Sequence, residues 1–208
     1  YVPGGARADI AGVGVEVRQA TAYPVDGTVN LTIEVDRPAE FALTVRIPDW
    51  CDAPSISVNG ETVDLKSVLV DGYAHLRRTW SDGDEIRLDL PMPVRLISAH
   101  PAVRHDAGRV AITRGPVVYC LEECDNGRDL NAVEIAADAD PVLEPAEGAR
   151  ALPTITVDGA RTTTDKWSGM LYRPADSTDR KQTRLRATPY AEWANRDPGE
   201  MLVWIRGS

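Results

Sequence analysis

The stretch Arg109–Cys124, RVAITRGPVVYCLEEC, constrains the fold more than any other part of the chain. Val110 and Ile112 alternate with Ala111 and Thr113, the period-2 pattern of a strand with one buried face. After Gly115-Pro116 the run resumes as Val117-Val118-Tyr119-Cys120-Leu121, apolar on both faces. A strand of that kind is covered on both sides, inside a sandwich or at a contact between two domains. Gly115 permits a bulge and Pro116 removes a ladder donor, which predicts a bend between the two runs. Strand patterns precede this stretch and others follow it. It is expected to supply the first strand pair of a second β-sandwich, built on a first.

The earlier strands announce themselves by alternation. Val13, Val15 and Val17 open a strand that runs towards Thr21, and Tyr23–Gly27 reads as a turn. Val29, Leu31, Ile33 and Val35, with polar residues between them, give the cleanest half-buried antiparallel strand. Phe41, Leu43, Val45 and Ile47 repeat the pattern until Pro48. Val58-Asn59-Gly60-Glu61 is a type I′ hairpin signal, because Asn-Gly tolerates positive φ at both central positions. Tyr73–Trp80 and Glu85–Leu90 flank Ser81-Asp82-Gly83-Asp84, which reads as another hairpin. Short strands separated by turns at this spacing indicate sandwiches.

Pro91-Met92-Pro93 and Val94–Ile97 read as the exit from the first domain. The predicted division is therefore 1–97 and 98–208. Beyond it, Asn131–Asp140 fits one short helix or a strand around Val133 and Ile135. Residues 136–153 read as a loop, and Asp158-Gly159 as a turn after Ile155 and Val157. Thr183–Tyr190 and Met201–Arg206 are expected to close the sheet. The fold class is all-β, two consecutive antiparallel β-sandwich domains.

A formal net charge of −9 leaves no basic stripe to neutralise phosphates, which argues against nucleic acid as a partner. No apolar run is long enough to span a membrane. The chain begins at Tyr1 without an initiator Met, as expected of a processed protein or a piece of a longer one. No secretory leader is visible, and Cys51, Cys120 and Cys124 make an odd set, so a reduced, cytoplasmic setting is expected. If extended, Cys120 and Cys124 would stand roughly 13 Å apart at about 3.3 Å per residue, too far for a disulfide.

Cys120, Glu122 and Cys124 share one face of an extended strand and are legitimate zinc ligand types. A fourth ligand is lacking unless His100 or His105 folds back, so the expectation is no metal and no cofactor. Carboxylates are plentiful, but no pair stands out for glycoside hydrolysis, and no G-x-S-x-G elbow or phosphate loop occurs. No catalytic residue is assigned. Trp50, Trp80, Trp167, Trp193 and Trp204 could stack on sugars, although aromatics in sandwiches more often fill cores or interfaces.

The run RVAITRGPVVYCLE resembles the C-terminal part of glycoside hydrolase family 127, the β-L-arabinofuranosidase family. The resemblance continues in order through Thr21–Gly27, Arg46–Trp50, Val58–Gly60, Trp80–Asp84, Leu88–Val94 and Pro189–Arg196, and on to Pro198–Met201. It implies a parent built as an (α/α)6 barrel followed by two β-sandwiches. The barrel would hold the cysteine nucleophile and a zinc bound by Cys and Glu, so neither Cys120 nor Cys124 takes those roles. No helical hairpins occur in this sequence. The resemblance implies a non-catalytic module, inactive alone, that braces the parent's catalytic barrel and supports a homodimer contact. The alternative is a carbohydrate-binding module. Trp193, Asn195 and Arg196 are the candidate barrel-facing residues, since Trp and Arg are enriched at interfaces.

Overall fold

The structure is a computed structural model that describes residues 1–146 and 151–207. It is all-β, in two compact units, Tyr1–Met92 and Pro93–Ser208. The division falls five residues before the expected one. Val94–Ser98 pairs along its length with Arg109–Arg114, so those residues belong to the second unit.

The first unit contains β1 (Gly4–Ile10), β2 (Val13–Thr21), β3 (Thr28–Val35), β4 (Ala39–Arg46), β5 (Ser55–Val58), β6 (Glu61–Thr62), β7 (Leu69–Val70), β8 (Tyr73–Trp80) and β9 (Asp84–Asp89). Six form one antiparallel sheet, ordered β1-β2-β3-β9-β5-β6, and β4-β8-β7 form the other. Alternation decides what is buried. Val29, Leu31, Ile33 and Val35 of β3 share a core with Phe41 and Val45 of β4 and with Ile86 and Leu88 of β9. Trp80 is fully buried there, and its indole donates to the Phe41 carbonyl, which satisfies the one polar atom it carries inward.

Two sequence expectations in this unit separate. Asn59 and Gly60 have φ of 52° and 82°, and Val58 faces Glu61, so the Asn-Gly hairpin forms as its chemistry requires. The Ser81–Asp84 turn, by contrast, joins no hairpin. β8 pairs with β4 while β9 pairs with β3 and β5, so this turn carries the chain from one sheet to the other. Asp82 accepts from the Val35 amide and Gly83 donates to the Ile33 carbonyl, which ties the corner to the end of β3. β1 carried no usable signal, because all its residues but Ile10 are exposed and it is held by the ladder to β2 and the Arg7–Glu16 ion pair.

The second unit contains β10 (Val94–Ser98), β11 (Arg109–Arg114), β12 (Val117–Glu122), a single helical turn α1 (Glu123–Asn126), β13 (Val133–Ile135), β14 (Val142–Glu144), β15 (Thr154–Thr162), β16 (Arg180–Pro189), β17 (Met201–Leu202) and β18 (Ile205–Gly207). Its core lies in a sheet that returns on itself. The path β11-β18-β13-β15-β16-β12 closes through the β11–β12 pairing, with β13–β18 the parallel pair in the ring. Val110, Ile112, Tyr119, Leu121, Val133, Ile135, Ile155, Val157, Leu185 and Ile205 all point into the enclosed core. Period 2 on every strand explains why one set of side chains fills it.

Gly115-Pro116 is a reversal rather than a bend. Arg114 faces Val117 across it, and Gly115 has φ of 54°. Positive φ at the first central position, followed by proline's fixed negative φ, suits a type II′ hairpin. Val118 is exposed, so β12 is apolar on both faces but covered on both only from Tyr119 onward. Asp158-Gly159 is not a turn but lies inside β15. A Cβ on Gly159 would stand 2.5 Å from the Glu134 carbonyl oxygen and 2.9 Å from a Leu185 methyl, so the glycine serves a close backbone approach. Of the stretch 136–153, β14 is a strand and residues 147–150 lie outside the described ones. Met201–Arg206 splits into β17, which pairs with β12, and β18, which pairs with β11 and β13. Val133–Ile135 takes the strand alternative, after a 3-10 turn at Leu130–Ala132.

Candidate functional site

A cluster of charged side chains forms where β12 ends. Glu122 is the last residue of β12 and is 4% exposed, a burial that needs a compensating partner. The chain then turns through α1 and leaves at Gly127, whose φ of 78° suits the helix exit. Asn126 fastens this turn to the neighbouring strand. Its amide nitrogen donates to the Glu122 and Arg186 carbonyls, and its oxygen accepts from the Arg186 amide.

The segment Tyr190–Glu200 folds over the outer face of this corner. Glu123 donates its amide to the Glu200 carbonyl and accepts from the Glu200 amide through its carboxylate. Ala194, held at φ of 60°, directs its amide to Glu122 Oε1 at 3.0 Å. Arg196 supplies the charge. Its Nη2 reaches Glu122 Oε2 at 2.5 Å, and its Nη1 reaches Asp125 Oδ1 at 2.7 Å. The hydrogen bond to Asp125, with the one to Glu122, raises the Arg196 guanidinium's pKa still further.

The ligand atoms of Glu122, Cys124 and Asp125 lie within 4.8 Å of one another. Arg196 already sits on both carboxylates, so a cation would have to displace a guanidinium hydrogen-bonded in three places. Cys120 is not part of this group. The strand stops at Glu122, so the shared face expected for Cys120, Glu122 and Cys124 breaks at its last member. Cys120 is fully buried, and burial, reinforced by Glu122, pushes its thiol up to about 12. Cys124 is exposed, yet residual desolvation and its carboxylate neighbours hold it above its ordinary value despite Arg196. Neither thiol is poised as a nucleophile, since reactive cysteines have lowered values. No disulfide joins Cys51, Cys120 and Cys124.

The three candidate interface residues go different ways. Trp193 is 39% exposed and lies against Tyr190, ring centroids 6.3 Å apart. The Asn195 amide turns back to the Glu192 carbonyl. Arg196, expected to offer its planar fork to a partner, is instead committed to the internal ion pairs. The buried Glu122 draws it inward, because an unpaired buried carboxylate would be costly. The sequence reading missed Asp125 and Asn126. Asp-Asn-Gly at 125–127 is turn chemistry that could have marked the end of β12.

Fold and site together define a two-unit all-β protein whose clustered carboxylates at the end of β12 are paired with Arg196. The chain belongs to glycoside hydrolase family 127. Residues 1–92 match the beta-L-arabinofuranosidase GH127 middle domain, and residues 94–206 the family's C-terminal domain. A curated relative, the non-reducing end beta-L-arabinofuranosidase of Bifidobacterium longum, is 36% identical over 93% of this chain and 30% of its own. A solved GH127 beta-L-arabinofuranosidase from Geobacillus stearothermophilus T6 is 42% identical with a TM-score of 0.95, covering all of this chain and 33% of that one. A solved GH127 beta-arabinofuranosidase is 28% identical with a TM-score of 0.84, over all of this chain and 34% of that one. The chain thus spans about a third of the length of the relatives it matches.

Proposed function

We propose that this chain is the non-catalytic β portion of a GH127 β-L-arabinofuranosidase, bracing an (α/α)6 catalytic barrel and contributing to a dimer contact. The observation that carries the reading is coverage. The middle-domain and C-terminal-domain matches run through the chain almost end to end, while relatives are about three times longer. The site chemistry agrees with it. A buried thiol pushed up to about 12 and carboxylates held by Arg196 offer neither nucleophile nor general acid. Trp193 and Asn195 remain candidates for the barrel-facing surface.

A chimera tests the brace. This chain, substituted for the corresponding third of the Geobacillus relative, should retain arabinofuranosidase activity and a barrel melting transition near the parent's. Deleting that third should lower the transition and the soluble yield. A barrel equally stable and active without it would overturn the reading. The chain alone should neither hydrolyse aryl β-L-arabinofuranosides nor show saturable heat with arabinose at millimolar concentration. Saturable binding lost on Trp193→Ala would favour the carbohydrate-binding alternative.

A further inference from the structure

β8 pairs with β4 along its whole length on one side, but with β7 only at Tyr73 and Ala74 on the other. Among the described residues no strand lies beside His75–Thr79 on that second side. Backbone hydrogen bonding alternates between the two sides along an antiparallel strand. Ile47 donates to the Gly72 carbonyl one step beyond the β4–β8 pairing, so Ala74, Leu76 and Arg78 turn their backbone groups to β4. His75, Arg77 and Thr79 therefore turn theirs to the open edge. An edge left open in this way is a template for another strand. It borders a cavity of about 570 Å³, walled across from β8 by Val58 of β5, by Val63, and by Val68 of the helical turn Leu65–Val68. Val58 and Leu76 are buried, and Val63 and Val68 pack against the same core, so the cavity opens towards the interior of the first unit.

The side chains along the edge define what fits it. Period 2 puts positions 74, 76, 78 and 80 on the inner face of β8, and Ala74, Leu76 and Trp80 are buried there. Arg78 shares that face, yet it is exposed and lines the cavity. Its guanidinium lies 5.3 Å from the centroid of the Trp80 ring, and among the described residues it forms no ion pair. Arg77, on the outer face, pairs at 3.4 Å with Glu40, both largely exposed. A strand added beside β8 sets its side chains opposite these, face for face. The complementary strand carries an aliphatic residue opposite Leu76, over the three valines, and an acidic residue opposite Arg78. We propose that this edge accepts such an extended segment from the part of the parent enzyme that this chain does not span. Relatives are about three times as long as this chain, and a module that braces a barrel needs a fastening to it. In strand addition the main chain supplies the hold and the inward pockets select the segment. The inference rests on the brace reading and states how the brace is attached.

Hydrogen–deuterium exchange over residues 73–80 tests it, in the chain alone and in the chimera with the Geobacillus relative. The His75, Arg77 and Thr79 amides should exchange fast in the chain alone and at least about tenfold more slowly in the chimera. Arg77→Pro removes an N–H that faces away from β4, a position where a strand tolerates proline. It should leave the first unit's melting temperature in the chain alone near the wild-type value, while lowering the barrel transition of the chimera. Arg77→Ala keeps the N–H and should lower that transition less, and Arg78→Glu should lower it by opposing the acidic residue. Equal exchange in both settings overturns the proposal, and this comparison uses the unaltered sequence, so it holds whether or not the proline variant folds. A barrel transition unmoved by Arg77→Pro, or lowered as much by Arg77→Ala, overturns it too. The brace itself is decided separately: if deleting the whole third destabilises the barrel while these edge results fail, the brace stands and this attachment does not.

Discussion

Arg196 holds Glu122 and Asp125 with one guanidinium, across 74 and 71 residues of sequence. This pins the Tyr190–Glu200 segment over the end of β12. Glu122's side chain is 5% exposed and Arg196's 35%, so the pair is half in water on one side only. Arg196→Met keeps the aliphatic bulk but leaves a buried carboxylate without its counter-charge. Losses of this kind run to about 3–5 kcal/mol when both partners are buried. Partial exposure of the guanidinium brings the expectation down to about 2–3 kcal/mol. Calorimetry of the second unit's transition measures it. Adding Glu122→Gln should recover part of the loss, because the neutral side chain can still accept from the Ala194 amide. A loss under about 0.5 kcal/mol, the level of an ordinary surface change, would show the cluster to be incidental.

Cys120 ties the same region to alkaline pH. Its ordinary value is 9.0 and the folded chain pushes it up to about 12. The unfolded chain therefore releases that proton first as pH rises. Its contribution to stability is complete below about pH 9 and is lost progressively between 9 and 12, at no more than about 1.4 kcal/mol per pH unit. Tyr119, raised chiefly by desolvation, adds a loss of the same sign above its ordinary 10.0. Denaturant midpoints for the second unit should fall from pH 9 to 10 in the wild type and fall less in Cys120→Ala, where only the smaller rise of Cys124 remains. Native alkylation at pH 9 should label the exposed Cys124 and spare Cys120. Rapid labelling of Cys120 would contradict its burial.

The sequence made the strands legible wherever one face was buried, since alternation is the imprint of a half-buried ladder. Val29–Val35 and Val110–Ile112 are the clear cases. β1 was invisible because burial leaves no pattern on a strand exposed on both faces. Pairing partners were less legible than strands. Ser81–Asp84 has the composition of a hairpin turn, yet the chain crosses between sheets there, a choice made by Trp80 entering the core and by Asp82 bonding Val35. At the candidate site Arg196 was singled out by residue type, and Glu122 by its spacing from two cysteines. Their pairing was not readable, because it joins positions far apart whose meeting depends on the fold of the segment between.

Gly159 offers a further test of what the sequence reading took for a turn. Its backbone is extended within β15, so alanine meets no conformational penalty and only the space matters. The new methyl would press on the Glu134 carbonyl and the Leu185 side chain. Leu185 can move, but the carbonyl belongs to β13, and overpacking of this kind costs about 1–3 kcal/mol. Gly159→Ala should lower the second unit's melting transition accordingly and leave the first unit's unchanged. An unchanged second transition would mean that β13 can shift away at little cost.

Two tryptophans distinguish surface from core. Trp80 is fully buried between the sheets of the first unit, where its indole donates to Phe41 and its ring lies 6.0 Å from the Phe41 ring. Trp193 is 39% exposed in the second unit, beside Tyr190, and lies outside that unit's enclosed core. Trp80→Ala removes a large side chain from close packing and should cost about 3–5 kcal/mol. Trp193→Ala removes a ring that is only part-buried, so a smaller loss than that of Trp80→Ala is expected in the chain alone. In the chimera, Trp193→Ala should cost more than in the chain alone if the barrel covers that ring. Equal losses in both settings would take Trp193 out of the barrel-facing surface. That would leave Asn195, whose amide is already turned back to Glu192, as a poor candidate to hold it.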